Sequence, residues 1–217
     1  HAGSIQQIQT NLAGKACPVN VAITHGAPVV NAGSNYTIPK STPFALTGSA
    51  TDAGGGALTY CWEQFDEATT NAMLCGDNPM TGALGDSDCI PVATKATGAI
   101  FRSYSPTASP TRYFPKMAAV LDGSYVTTGP DIASEVLPSV ARTMNFRLTV
   151  RDNVAGQGQT NFGNMAVTVD ATKGAFTVTS QNTDGITWIQ GTTQTITWNV
   201  GGTNIAYAPN VAGDQFV

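Results

Sequence analysis

Carboxylate and amide side chains in two separate stretches are the residues whose types and positions first suggest chemistry. Asp52 lies in the turn-rich stretch TDAGGG, while Asp152 and Asn153 open the stretch DNVAGQGQ. Alternating residues on both sides predict that each stretch joins two strands. If both loops emerge at the same end of a β-sandwich, their oxygens converge as Ca²⁺ requires, with about 6 to 8 oxygen ligands. The sequence therefore predicts a calcium site at Asp52, Asp152 and Asn153, unless each aspartate only caps its own turn by accepting backbone N–H groups.

Groups suited to hydrolytic catalysis are few, and no catalytic residue is predicted. The two histidines, His1 and His25, lie in no H-E-x-x-H zinc motif, and the chain has no G-x-S-x-G nucleophile turn. A second acidic group, Asp77, Asp86 and Asp88, lacks the spacing of an EF-hand loop. Any chain with 14 acidic residues could place two carboxylates at the separation that glycoside hydrolysis needs, so that activity gains no positive support.

Aromatic and basic residues are interleaved in the stretch FRSYSPTASPTRYFP, residues 101–115. Tyr104, Tyr113 and Arg112 are predicted to bind a partner, because tyrosine and arginine are enriched at the energetic centres of binding surfaces. Two structural alternatives stand beside this interpretation. Rings in proline-bracketed strands can equally be core residues, and an arginine paired with a carboxylate can be internal support.

The four cysteines show no C-x-x-C spacing, which disfavours a zinc ribbon or a thioredoxin-type site. We favour a disulfide between Cys75 and Cys89, because both lie in a Gly/Asp/Asn-rich excursion with little apolar content. Closing a loop of about 15 residues with a disulfide contributes about 3 kcal/mol in the chain-entropy model. Free buried cysteines are the alternative, and the pairing of Cys17 and Cys61 is left open.

The composition narrows the class of protein. Only 11% of the 217 residues are charged, the net charge is -4, and short hydroxyl and amide side chains take the place of charged ones. This composition, with 23 glycines and 12 prolines, is typical of a secreted, extracellular β-protein. The ten basic residues are scattered, which argues against a nucleic-acid partner, and no window is apolar enough for a membrane span.

Most of these residues lie in or beside predicted strands, and the predicted fold class is therefore all-β. A short amphipathic helix at Ser4–Leu12 precedes a linker over 18–27. An immunoglobulin-like β-sandwich with long insertions is predicted for 28–171, and the start of a second β-sandwich for 172–217. In the strand LTYCWEQ, alternation puts Tyr60 and Trp62 on one face, and we expect Trp62 to be a core residue rather than a carbohydrate-stacking platform.

Four stretches carry a resemblance to a known group of proteins: HAGSIQQIQTNL, LTYCWEQ, FRSYSPTASPTRYFP with ARTMNFRLTVRDN, and VDATKGAFTVTS with TQTITWNV. Over nearly its whole length the chain resembles the region C-terminal to the catalytic domain of secreted bacterial reprolysin-like zinc metallopeptidases. The segment TGSATDAGGGALTYCWEQF with MNFRLTVRDNVAG is similar to immunoglobulin-like modules of the polycystic-kidney-disease and fibronectin-III kinds. The resemblance implies that 1–17 is the last helix and tail of a missing catalytic domain, and that zinc is expected only there.

The predicted function is that of a non-catalytic accessory module. It either positions its own catalytic domain or binds a protein or polysaccharide substrate, and it requires no cofactor apart from the predicted calcium. The alternatives are an adhesion module that binds carbohydrate or a cell surface, and an independent hydrolase.

Overall fold

The computed structural model describes residues 2–13, 15–16, 23–66, 91–128 and 133–203. The protein is all-β with a short N-terminal helix, which confirms the predicted fold class. The helices are α1 (Ala2–Ala13) and α2 (Met117–Leu121). The strands are β1 (Val29–Asn31), β2 (Tyr36–Pro39), β3 (Phe44–Thr47), β4 (Ser49–Thr51), β5 (Thr59–Gln64), β6 (Thr111–Phe114), β7 (Val126–Thr128), β8 (Ala133–Val136), β9 (Arg142–Arg151), β10 (Thr160–Asp170), β11 (Thr177–Val178) and β12 (Trp198–Asn199).

The largest sheet has four strands in the order β2-β10-β9-β5. Strands β9 and β10 form a long antiparallel hairpin, β5 pairs antiparallel with the other edge of β9, and β2 runs parallel to β10. The predicted alternation in MNFRLTVR is confirmed for the inward residues, since Phe146, Leu148 and Val150 are buried. Arg147, expected on the outer face, is also buried, because its guanidinium lies between the rings of Phe65 and Phe162.

The facing layer is built from short strand pairs, β3 with β6 and β4 with β1. A cluster of four rings from both layers and from the excursion before β6 fills the space between the layers, with centroids 4.9 to 6.3 Å apart. These rings belong to Phe44, Phe101, Phe114 and Phe146. The alternative interpretation of the 101–115 aromatics as core is therefore right for two of them, Phe101 and Phe114.

Trp62 is a core residue, as predicted, with 3% of its surface exposed. Its indole Nε1 donates a hydrogen bond of 2.9 Å to the carbonyl oxygen of Pro110, so the buried polar atom is satisfied. The neighbouring Gln64 is buried too, and its Oε1 accepts from the backbone N–H groups of Ile100 and Phe101. Strand β5 thereby links the four-stranded sheet to the excursion that carries the predicted binding residues.

Two predicted regions lie partly or wholly outside the described residues. Residues 67–90 contain Cys75, Cys89 and the second acidic group, so the disulfide stays a prediction, and Cys17 lies outside the described residues as well. Among the described residues Cys61 is a free thiol. The predicted boundaries at 18–27 and 171/172 also stay predictions.

Both ends of the described chain expose apolar side chains. On α1, Ile8 and Leu12 are exposed, although the helix contacts the sheet where Arg147 donates to Gln6 Oε1 at 3.4 Å. Beyond β10, strands β11 and β12 pair, and several large apolar side chains of this region are exposed: Phe176, Val178, Ile186, Trp188, Ile189, Ile196 and Trp198. Among the described residues, neither helix has the length and apolar character needed to cross a membrane.

Gly48 lies where one continuous stretch of chain changes its pairing from β6 to β1, and the layers approach closely there. A Cβ at this position would overlap Leu148 Cδ2 and lie 2.9 Å from the carbonyl oxygen of Asn31. We expect Gly48→Ala to lower the free energy of unfolding by about 1 to 3 kcal/mol, as overpacking of a core does. Urea unfolding measures it, with Gly26→Ala as the control because an added Cβ there meets no atom within 4 Å. Equal stabilities of the two variants would contradict this close approach.

Candidate functional sites

The described residues contain two candidate sites, a pocket beside β5 and β6 and a cluster of side chains in the loops at one end of the sandwich. The pocket, here called the aromatic pocket, has a volume of about 230 Å³. Its lining includes all three predicted binding residues, Tyr104, Arg112 and Tyr113, together with side chains from β5 and α2. The other lining residues are Tyr60, Cys61, Trp62, Ser105, Thr107, Ser109, Thr111, Lys116 and Met117.

One wall of the pocket is the segment 102–110, which runs beside the free edge of β5. Thr107 exchanges two backbone hydrogen bonds with Tyr60, of 2.7 and 3.0 Å, as a short antiparallel bridge. The Cys61 thiol also donates to the carbonyl oxygen of Tyr104 at 3.3 Å. These contacts fix the backbone that carries Tyr104, so the pocket is formed by the fold itself.

Arg112 lies beneath the pocket and is an internal support. Its guanidinium makes a 2.6 Å ion pair with Glu135, which is fully buried, and donates to the carbonyl oxygens of Trp62 and Arg102. Burial lowers the pKa of Arg112 and the carboxylate of Glu135 opposes that shift, so the side chain remains charged. Because its charge is already paired, Arg112 shapes the pocket and offers little charge to a ligand.

Tyr113 is the exposed residue of the predicted set, whereas Tyr104 is half-buried. Lys116 Nζ lies 4.0 Å from the centroid of the Tyr104 ring, and the ring of Tyr113 is 37% exposed. Burial, and then the nearby carboxylate of Glu135, raise the pKa of Tyr104 to about 12, so its hydroxyl stays neutral at physiological pH.

The chemistry of the aromatic pocket suits binding. Burial, followed by the charge of Glu63, raises the pKa of the Cys61 thiol, which keeps it in the protonated, weakly nucleophilic form. The lining residues include no carboxylate or imidazole that could act as a base beside it. Rings, hydroxyl groups and the ammonium group of Lys116 remain as its contact groups.

The second site joins three loops at one end of the sandwich. Asp52 follows β4, Asp152 follows β9, and His25 precedes β1; each offers a ligand atom within 4.8 Å of the other two. The convergence of the Asp52 and Asp152 loops is thus present. The third predicted ligand, Asn153, donates with its amide nitrogen to Ala57 O at 2.6 Å and to Thr59 Oγ1 at 3.0 Å.

Each aspartate of this cluster caps its own turn with one oxygen only. Asp152 Oδ1 accepts from the backbone N–H groups of Val154 and Gln159, at 3.3 and 2.7 Å, and Asp52 Oδ2 accepts from that of Gly56 at 3.2 Å. The remaining oxygens, Asp152 Oδ2 and Asp52 Oδ1, are buried without a hydrogen-bond partner. The turn-capping alternative therefore explains one of the two oxygens of each carboxylate and not the other.

His25 was not predicted as a member of this cluster, because residues 18–27 were predicted to be a linker. The available signal was its position just ahead of the first strand, since the start of that strand lies at the same end of a sandwich as the two loops. Searches against protein-family models, curated proteins and solved structures found no match to this chain.

The Glu135→Gln variant removes the charge that balances Arg112 inside the protein. We expect the free energy of unfolding to fall by about 3 kcal/mol, because a buried guanidinium is left without its counter-ion. Urea denaturation measures the change. Asp122→Asn, which alters an exposed carboxylate in the turn after α2, is the control and should match the parent protein. Stability of Glu135→Gln equal to that control would mean that the ion pair is not needed.

Alkylation of Cys61 tests the electrostatics of the pocket. Since the folded state raises the pKa of this thiol, the thiolate forms at higher pH than in the unfolded chain. We expect the midpoint of the pH–rate profile for iodoacetamide modification to move to higher pH on folding. Mass spectrometry of the Cys61 peptide, in buffer and in urea, measures both profiles. Coincident midpoints would contradict the raised pKa, whatever the difference in absolute rate.

Proposed function

We propose that this chain is a non-catalytic accessory module of a secreted zinc metallopeptidase and that its aromatic pocket binds protein substrate. The observation that carries the binding role is the convergence of Tyr60, Tyr104 and Tyr113 on one preformed pocket that lacks a general base. The resemblance described above supports the parentage, as do the exposed Ile8 and Leu12 of α1, an apolar stripe suited to packing against another domain. Secretion is part of the same proposal.

The size and lining of the pocket favour a protein ligand over a polysaccharide. A volume of about 230 Å³ is below the roughly 300 Å³ at which pockets for drug-sized ligands begin, so it fits one large side chain. Recognition of that kind, an anchor residue inserted into a pocket, is typical of protein interfaces. A polysaccharide instead stacks on a flat, open ring face, and among the residues that line the pocket Tyr113 is the exposed ring.

Lys116 supplies the charge at the rim of the pocket. Its ammonium group lies against the Tyr104 ring, where it can pair with a carboxylate of the ligand or with the carbonyl groups of its backbone. We therefore expect the anchor to be an aromatic or long apolar side chain with an acidic neighbour.

Retention of the purified chain on immobilised denatured collagen, chitin and cellulose tests this function. We expect retention on denatured collagen, weakened at least about tenfold by Tyr113→Ala, because an anchor contact of this type contributes more than about 1.4 kcal/mol. Tyr125→Ala, which removes an exposed tyrosine outside the pocket, is the matched control and should bind as the parent does.

The other outcomes separate the alternatives. Retention only on chitin or cellulose, lost in Tyr113→Ala, would replace the protein ligand with a carbohydrate. No retention on any matrix would favour a spacer module that positions its catalytic domain without binding substrate. Turnover of a peptide or glycoside panel by the purified chain would contradict the non-catalytic role.

A further inference from the structure

The loop cluster of His25, Asp52 and Asp152 contains an unbalanced set of buried polar atoms. Asp152 is fully buried and its Oδ2 has no hydrogen-bond partner, and Asp52 Oδ1 and His25 Nε2 are buried and unpartnered as well. A buried carboxylate oxygen without a donor is costly, and two carboxylates facing one space also repel each other. A positive group placed between these oxygens would compensate both costs.

We propose that His25, Asp52 and Asp152 form a site for a divalent cation of the zinc class, which joins the three loops. A neutral imidazole, two carboxylates and a doubly charged cation sum to zero net charge. An imidazolium on His25, 3.6 Å from Asp152 Oδ2, would balance only one of the two carboxylates. The divalent cation therefore accounts for the unpartnered atoms better than a proton does.

The donor set separates this cation from the predicted calcium. Ca²⁺ takes oxygen ligands, whereas Zn²⁺ accepts nitrogen and oxygen together at about 2.0 to 2.2 Å in a tetrahedral arrangement. Two tetrahedral ligands at those distances lie about 3.4 Å apart. His25 Nδ1 and Asp152 Oδ2 are separated by 3.6 Å, and a shift of about 1 Å brings the third ligand to the same spacing. A water molecule would complete the coordination.

The surrounding chain is shaped to bring these loops together. A Cβ on Gly54 would lie 2.6 Å from His25 Nδ1 and 3.2 Å from Asp52 Oδ2, and one on Gly56 would overlap the carbonyl oxygen of Asp152. The run of glycines after Asp52 thus permits an approach that side chains would block.

The side chain of Gln159 holds the backbone that carries His25. The Gln159 amide nitrogen donates to the carbonyl oxygen of His25 at 2.6 Å and lies 3.2 Å from Nδ1. Nδ1, which lies 3.6 Å from Asp152 Oδ2, is the ring nitrogen placed to be the ligand, and Nε2 then carries the proton.

Thermal melting of the whole chain, treated with chelator and then given Zn²⁺ or Ca²⁺, tests the site. We expect Zn²⁺ to raise Tm by several degrees, because a ligand that binds only the native state stabilises it, and Ca²⁺ to have little effect. His25→Ala and Asp52→Asn should each abolish the zinc shift. Asp122→Asn, at a carboxylate outside the cluster, should keep it.

The variants remove the main ambiguities. They retain every cysteine, so zinc bound by thiols would shift the parent and His25→Ala equally, and that result would overturn the proposal. Asp152→Asn keeps an oxygen that can accept the two backbone hydrogen bonds now made to Oδ1, and it should abolish the zinc shift as well. A second readout is the visible absorption of added Co²⁺, which should show tetrahedral bands in the parent and lose them in His25→Ala.

The remaining outcomes distinguish a calcium site and a metal-free ion pair from the proposed zinc site. A shift produced by Ca²⁺ and unaffected by His25→Ala would overturn the inference in favour of an oxygen-only site. Insensitivity to both metals, with His25→Ala less stable than the parent, would mean that an imidazolium pairs with Asp152 and no metal binds.

Discussion

The ion pair between Arg112 and Glu135 is the interaction on which the relative positions of β6, β7 and α2 depend. The Glu135 carboxylate accepts from Arg112 on β6, from Thr127 on β7 and from the backbone N–H of Lys116 ahead of α2. These segments share few strand hydrogen bonds, since β6 pairs with β3 and β7 pairs with β8. One buried carboxylate thus sets their relative positions. Because burying two charges is costly, its main contribution is to geometry rather than to net stability.

The same guanidinium serves both the core and the pocket. It lies 4.3 Å from the centroid of the Phe114 ring and 4.8 Å from that of the Tyr104 ring, so one cation contacts a core residue and a wall of the pocket. The floor of the pocket is therefore continuous with the core beneath it. The rim is different, because Tyr113 and Lys116 are exposed and free to adjust to what enters. A fixed floor with an adaptable rim is a sensible arrangement for an anchor residue whose flanking sequence varies.

The local features of the fold could be predicted from the sequence, and the long-range partners could not. Period-two alternation correctly predicts the inward residues of β9 and the burial of Trp62 on β5, and the three residues picked for their type do line one pocket. On β5 the alternation fails at Glu63, which was expected on the outer face and is buried. Alternation assumes that the outer face of a sheet meets water, which fails at Arg147 because Phe65 and Phe162 cover it. Nothing near Arg112 in the sequence identifies Glu135, 23 residues away, as its partner. His25 was missed for the same reason, since its neighbours in space come from loops that follow β4 and β9.

Strand β2 runs parallel to β10, with four residue pairs from Val167↔Tyr36 to Asp170↔Pro39. Its first residue and the last residue of β10 consequently lie at opposite ends of this short ladder. Tension applied between the two would act along the strands and load all four pairs together, whereas an antiparallel hairpin pulled from its open end separates one pair at a time. The arrangement makes this edge of the sheet resistant to shear along the strands, a property that fits the accessory role proposed above.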